Sequence, residues 1–238
     1  MLPQWQKAIV TRIEQATPNT RRYWLELPET ERFDFKPGQF VTLDLPIHEK
    51  RNKRWRSYSI ASMPDGTNVI ELVVVYLEGG AGTEYIFNDV VVGSELVVRG
   101  PQGVFVLHDE IPENLFMVCT GTGIAPFRSM IHYIRENNVP HGKLHLVFGT
   151  RKQEDLLYFE EMKELEKQME NFHYHPVLSR EEWEGHTGYV HKVYEDLIKD
   201  LPNACFMLCG WKAMVDDAKQ KLLALGYDKK NICLELYG

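Results

Sequence analysis

The spacing of apolar residues changes period once along this chain, near residues 108–114, and that change narrows the fold more than any other feature. Before it, short runs alternate between turn signals. Arg22 to Leu27 alternates, and Phe40 to Leu45 alternates after the turn pair Pro37-Gly38. Asn68 to Leu77 is a longer valine-rich run. Glu95 to Arg99 and Val104 to Leu107 follow, split by Gly100-Pro101-Gln102-Gly103. A period of two puts neighbouring side chains on opposite faces of a strand, so several such runs predict an antiparallel barrel or sandwich. A short helix is expected at Thr83 to Asp89.

After residue 109 the rhythm becomes strand, helix, strand. Leu115 to Cys119, Leu144 to Phe148, Phe172 to Leu178, Ala204 to Cys209 and Ile232 to Leu236 read as strands. Between them apolar residues recur at helical spacing. The four sets are Phe127, Met130, Ile131 and Ile134; Tyr158, Met162, Leu165 and Met169; Val190, Val193, Tyr194 and Leu197; and Met214, Val215, Ala218, Leu222 and Leu225. Strands alternating with helices predict a parallel sheet covered on both sides. The expected fold class is an antiparallel β-barrel domain, residues 1–108, followed by an α/β parallel-sheet domain, residues 109–238.

The chain has 238 residues, enough for two ordinary domains. Its 44% apolar and 26% charged composition excludes collagen-like, disordered and coiled-coil chains. A net charge of −7 argues against general nucleic-acid binding. No apolar run approaches the ~20 residues of a membrane span. The start, MLPQWQKAIV, lacks the apolar stretch of a secretory signal. A soluble, cytoplasmic protein is expected. The cysteines are Cys119, Cys205, Cys209 and Cys233. Cys205 and Cys209 would lie about 13 Å apart on one strand. Two sulfurs on one metal sit about 4 Å apart, so no metal site is expected.

Three motifs carry chemistry. Gly121 to Pro126, GTGIAP, follows an apolar strand and opens a helix. There a glycine turn lets backbone N–H groups approach a pyrophosphate; a plain strand–helix turn would also need the glycine. Arg56-Ser57-Tyr58-Ser59 places an arginine and a tyrosine on one side of a strand. A guanidinium pairs with phosphate, and a tyrosine ring stacks on a flat heterocycle. Gly80-Ala81-Gly82-Thr83 precedes a short helix and suits either a phosphate cradle or a simple loop.

In this order the three motifs resemble those of the ferredoxin–NADP reductase family. RSYS resembles its flavin motif, GGAGT its flavin-phosphate loop and GTGIAP its nicotinamide-pyrophosphate motif. Cys209-Gly210-Trp211-Lys212, the ending Glu235-Leu236-Tyr237 and Lys36-Pro37-Gly38-Gln39-Phe40 are similar to further family segments. The resemblance covers nearly the whole chain. It implies a flavin-binding β-barrel and an NAD(P)-binding α/β domain.

It also implies roles. Arg56, Gly80, Gly82 and Thr83 would hold flavin phosphates, with FAD expected rather than FMN. Tyr58 would stack near the isoalloxazine, and Ser59 would hydrogen-bond near N5, where hydride arrives. Gly121, Thr122 and Gly123 would hold the nicotinamide pyrophosphate. Cys209, Gly210 and Glu235 would line the nicotinamide, and Tyr237 would cover the flavin until nicotinamide displaces it. Ser59, Cys209, Glu235 and Tyr237 form the expected catalytic set. Three features are expected to depart from the family pattern: Gly238 follows Tyr237, Trp211 is bulky, and no fused iron–sulfur domain is expected.

Ser179 and Arg180 follow a strand end, where an adenosine ribose sits in such sheets. A 2′-phosphate there favours NADP(H) over NAD(H), with Arg151 and Lys152 as second candidates. His173 and His175 alternate on a strand and read as ordinary strand residues. The basic run Glu49 to Arg56 is a solvated loop or a docking patch for an acidic carrier. The expected function is electron transfer between NADPH and a carrier such as ferredoxin or flavodoxin. A reductase component of an oxygenase is the alternative. Against a non-catalytic flavin-binding regulatory subunit stands the joint presence of Ser59, Cys209, Glu235 and Tyr237.

Overall fold

The structure is a computed structural model and describes residues 3–201 and 203–237; Gly238 lies outside the described residues. Contacts divide the chain into two compact units. One comprises the chain up to Leu107 together with Ala125–Tyr133. The other comprises His108–Ile124 and the chain from Ile134 onward.

The first unit contains β1 (Trp5–Thr17), β2 (Thr20–Glu26), β3 (Phe40–Asp44), β4 (Trp55–Ser59), β5 (Val69–Val75), α1 (Ala81–Asn88) and β6 (Glu95–Gln102). The sheet order is β4-β3-β6-β1-β2-β5. Every pair is antiparallel, and an Ile60–Leu72 bridge joins the two ends into a barrel. Ala8, Val10, Leu25, Val41, Leu43, Ile70 and Val98 fill it.

Strand β1 has no counterpart among the expected strands. Its register shifts between Val10 and Arg12, which breaks the alternation that sequence reading relies on. Val104 to Leu107 is not a strand. Instead β6 runs through Gly100-Pro101 to Gln102, and the register against β3 shifts between Phe40 and Thr42. A Cβ at Gly100 would fall 2.7 Å from Val41 Cγ1. The glycine therefore marks a close approach inside the strand rather than its end, and the proline sits at the irregularity, where its missing N–H is tolerated. Beyond it Val104 is exposed while Phe105 and Leu107 are buried.

After β6 come β7 (Asn114–Thr120), α2 (Ile124–Glu136), β8 (Lys143–Thr150), α3 (Phe159–Gln168), β9 (Phe172–Leu178), β10 (His186–Thr187), α4 (Val190–Leu197), β11 (Ala204–Trp211), α5 (Lys212–Ala224) and β12 (Ile232–Tyr237). All belong to the second unit except Ala125–Tyr133 of α2. The sheet is parallel with order β10-β9-β8-β7-β11-β12. Two-residue β10 is too short to show a period. Phe116, Val118, Phe206 and Leu208 pack with α4 and α5. Leu115, Met117 and Cys119, pointing the other way from β7, are equally buried. Leu225 departs from the expected helical face. It lies just past the end of α5 and is exposed.

The order reverses direction at β7, with β8 on one side and β11 on the other. Open parallel sheets bind ligands at the carboxyl ends of strands at such a point. No helix among the described residues is long and apolar enough to cross a membrane.

Candidate functional site

In the first unit β4 carries Arg56, Tyr58 and Ser59. Residues two apart share a side of the strand, which puts Arg56 and Tyr58 together. Arg56 reaches the start of α1: a Cβ at Gly82 would fall 2.9 Å from Arg56 Nε. Arg56 Nη1 donates to the carbonyls of Lys53 and Trp55, at 3.0 and 2.8 Å. The backbone thus orders the guanidinium. Helix α1 opens at Gly80 without a side-chain cap, so its first N–H groups have no partner within the helix. Thr83 closes the loop from inside. Its Oγ1 lies 3.0 Å from the carbonyls of Leu77 and Gly80, to which it donates, and accepts the Leu77 N–H at 3.1 Å. Tyr58 packs on the barrel core, and burial raises its phenol above the ordinary range, so the ring stays neutral. Ser59 is buried.

In the second unit β7 ends at Thr120 and turns through Gly121–Gly123 into α2. A Cβ at Gly123 would lie 2.5 Å from the Cys209 carbonyl oxygen and 2.8 Å from Gly210 Cα. A Cβ at Gly210, whose φ is +132°, would lie 2.8 Å from Thr120 Oγ1. The ends of β7 and β11 therefore meet backbone to backbone. Thr120 Oγ1 is buried there without a hydrogen-bond partner. Thr120 directly precedes the glycine motif, a signal that sequence reading passed over. Trp211 is half exposed, and its indole Nε1 lies 3.6 Å from where a Gly121 Cβ would be. The bulky residue flanks the glycine turn.

Strands β11 and β12 bring the remaining candidates together. Cys209 pairs in register with Glu235, and Trp211 with Tyr237. Cys209 Sγ is 4.0 Å from Glu235 Oε2. Burial first, then the Glu235 carboxylate, raises the Cys209 thiol well above its usual range, partly opposed by a hydrogen bond with Tyr237. A thiol so raised is no nucleophile near neutrality.

A cavity of about 790 Å³ opens past the end of β9, with Ser179, Arg180, Thr187, Tyr189 and Lys192 in its wall. Ser179 Oγ donates to the Thr150 carbonyl at 3.1 Å, and the Arg180 N–H donates to that of Arg151 at 2.9 Å. Arg151 and Lys152 do not line the cavity. Across it, Lys221 pairs with Glu195 at 3.1 Å and His191 with Asp217 at 3.0 Å. Lys192 arrives from α4, and no sequence signal linked it to Ser179.

His173 and His175 do share a face, and they are joined there by His145 and His186. His145 Nδ1 and His175 Nε2 are 3.1 Å apart. In the basic run, Arg51 and Arg54 flank buried Asp44 at 3.5 and 2.8 Å, while Lys50 and Lys53 are exposed.

Comparison with known proteins gives two family matches: Oxidoreductase FAD-binding domain over residues 7–107 and Oxidoreductase NAD-binding domain over residues 117–220. The chain is 33% identical to Ferredoxin--NADP reductase B of Sorangium cellulosum over 241 residues, covering 97% of both chains. It is 29% identical to the anthranilate 1,2-dioxygenase electron transfer component of Acinetobacter baylyi, covering 89% of this chain but 61% of that protein. A ferredoxin NADP+ reductase from Neisseria gonorrhoeae, solved with bound FAD and NADP, superposes with a TM-score of 0.81 at 24% identity, covering 98% of each chain.

Proposed function

This chain belongs to the ferredoxin–NADP reductase family of oxidoreductases, and from that premise we propose that it moves electrons between NADPH and a one-electron carrier protein through FAD. The observation that carries the reading is the pair of glycine cradles, each with a polar group beside it. At α1 the Arg56 guanidinium lies on Gly82. At α2 the orphaned Thr120 hydroxyl lies beside the turn Gly121–Gly123.

These residues fit the two nucleotides. Uncapped N–H groups and an ordered guanidinium suit the diphosphate of FAD. At Gly123 the α2 turn has no room for a side chain, and the buried Thr120 hydroxyl beside the turn gains a partner from a nucleotide. Bound flavin supplies two-electron acceptance and one-electron release.

Arg56, Gly80, Gly82 and Thr83 hold the flavin phosphates, and Tyr58 lies along the ring system with Ser59 as hydrogen-bond donor. Gly121, Thr122 and Gly123 hold the nicotinamide pyrophosphate. Cys209, Gly210 and Glu235 line the nicotinamide. Because burial keeps Cys209 protonated, it offers that ring a neutral surface. Tyr237 is the aromatic that gives way to nicotinamide. Ser179 and Arg180 take the 2′-phosphate, which is the basis for NADP(H) over NAD(H), and Lys192 adds a second cation on the same cavity. In this reading residues 1–108 bind flavin and 109–238 bind the coenzyme. The exposed lysines Lys50 and Lys53, in a chain of net charge −7, meet an acidic ferredoxin or flavodoxin.

A second reading shares this chemistry and changes the acceptor to an oxygenase component; the likeness to the dioxygenase electron transfer component favours it. Anaerobic titration of the FAD-loaded protein with NADPH, and separately with NADH, tests the common core. Flavin absorbance should bleach with both and at lower concentration with NADPH. Protein that takes up neither FAD nor FMN, or flavin that neither coenzyme bleaches, would overturn the reading.

A further inference from the structure

Strand β5 carries a glutamate in a run of valine, leucine and isoleucine, and no role described above uses it. Glu71 is 2% exposed. Taking a carboxylate out of water is costly unless opposite charge and hydrogen bonds replace the water. Two arginines do so. Arg22 Nε and Nη2 donate to Oε1 and Oε2 of Glu71 at 2.6 and 3.0 Å. Arg128 Nη1 donates to Oε2 at 3.1 Å and to the Ala61 carbonyl at 2.9 Å. The backbone of Glu71 binds the same neighbourhood: its N–H donates to Ser62 Oγ at 3.0 Å, and its carbonyl accepts the Ala61 N–H at 2.8 Å. Glu71 therefore holds Ala61 and Ser62 directly through its backbone, and its carboxylate holds Arg128, which donates to the Ala61 carbonyl. These residues closely follow Ser59, and Ile60 beside them is bridged to Leu72.

Arg128 comes from α2, whose residues Ala125–Tyr133 belong by their contacts to the first unit. That helix opens directly from the turn Gly121–Gly123. A buried arginine–glutamate–arginine group is a poor stabiliser. Apolar residues of the same volume usually hold a fold as well or better, while directional hydrogen bonds restrict which packing is adopted. Here the direction is set on α2.

We infer that Glu71 is a positioning residue for the reaction. Acting through Arg128, it fixes the register of α2 on the Ile60–Ser62 segment. The coenzyme turn is continuous with that helix, so an error in the register becomes an error at the turn. Misplacement of about 1 Å can cost two orders of magnitude in rate with little change in binding. This inference rests on the function proposed above.

Three proteins decide it: wild type, Glu71→Gln, and a charge-free triple, Glu71→Met with Arg22→Leu and Arg128→Met. Glu71→Gln should keep FAD stoichiometry and leave the KM for NADPH nearly unchanged, while slowing flavin reduction in rapid mixing about tenfold or more. The triple should equal or exceed wild type in Tm and remain slow. A triple that reduces flavin at the wild-type rate would overturn the inference, as would rate losses that simply follow losses in Tm. If the triple does not fold, Glu71→Gln alone decides, and an unchanged rate refutes the role. Hydrogen exchange gives a readout apart from activity. Amides of residues 124–133 should exchange about tenfold faster in Glu71→Gln, with the barrel core unchanged; equal exchange in both proteins contradicts the inference. Wild-type protein that binds no flavin would refute the proposed function and leave the exchange comparison to decide Glu71.

Discussion

Two glycine turns open helices in this chain, and they differ in what stands behind the glycine. At Gly82 the neighbour is the side chain of Arg56; at Gly123 it is the backbone of Cys209 and Gly210. A side chain can swing away, whereas strand backbone in the middle of a sheet cannot. The threonines differ as well. The Thr83 hydroxyl is bonded within its own loop, while the Thr120 hydroxyl is buried without a partner. The first loop is complete in itself and presents an arginine held by two backbone carbonyls. The second is a fixed junction of two strand ends whose spare polar group is a hydroxyl. The two cradles should therefore fail in different ways.

The largest difference is expected for the same substitution at each glycine. Gly123→Ala should destabilise the protein by about 3 kcal/mol, because an added methyl meets backbone that cannot yield. Gly82→Ala should cost less, about 1 kcal/mol, since Arg56 can shift only by giving up its bonds to the Lys53 and Trp55 carbonyls. Denaturant unfolding measures both. Equal losses would remove the distinction between a backbone and a side-chain neighbour.

Acid should act on the second unit before the first. Burial, then His173 and Lys143, push His145 down to about 4. Burial, then His145, His186 and His173, push His175 down to about 3. Both rings are kept neutral in the folded protein and take up protons more readily when unfolded. Their contribution is complete above the unfolded value of about 6.5. It is lost as pH falls toward 4 and then 3, and for well-buried His145 it amounts to about 2–3 kcal/mol. Hydrogen exchange at pH 7 and pH 5 should show β8 and β9 loosening more than β3. His145→Phe keeps the stack on Phe116 and should flatten that response. Uniform loosening of both sheets would contradict the assignment.

The smallest effects sharpen the threonine contrast. Thr83→Val should cost about 1 kcal/mol, as loss of a loop-closing hydrogen bond does. Thr120→Val should leave stability unchanged or slightly higher, since the hydroxyl it removes has no partner to lose. Thermal unfolding of the two variants side by side distinguishes them; a Thr120→Val loss as large as that of Thr83→Val would mean that the hydroxyl is already bonded in the free protein.

The two halves were also unequally legible in sequence. In the parallel sheet all five expected strands are present. Strands β7 and β11 read as unbroken apolar runs because both their faces are buried, while β9 and β12, which carry polar residues, are marked by the helical repeats on either side or before them. The barrel hid β1 behind a register shift and misled at Gly100-Pro101, where a glycine needed for close approach read as a strand end. The glycine motifs were visible because their spacing is local. Contacts made by distant segments left no such trace. Arg128 on Glu71, Lys192 on the Ser179 cavity and His145 with His175 each join residues that only the fold brings together.

On the proposed reading each cradle serves its own nucleotide. Titration calorimetry of Gly82→Ala and Thr120→Val, each against FAD on apoprotein and against NADP+ on FAD-loaded protein, separates the two turns. Gly82→Ala should weaken FAD about tenfold or more, as expected when a charge-assisted phosphate contact worth about 1.5–3 kcal/mol is displaced, and should leave NADP+ unchanged once FAD is loaded. Thr120→Val should weaken NADP+ by about 1 kcal/mol and leave FAD unchanged. If either variant weakens both nucleotides alike, or each weakens the other's nucleotide, the assignment of the two turns is wrong.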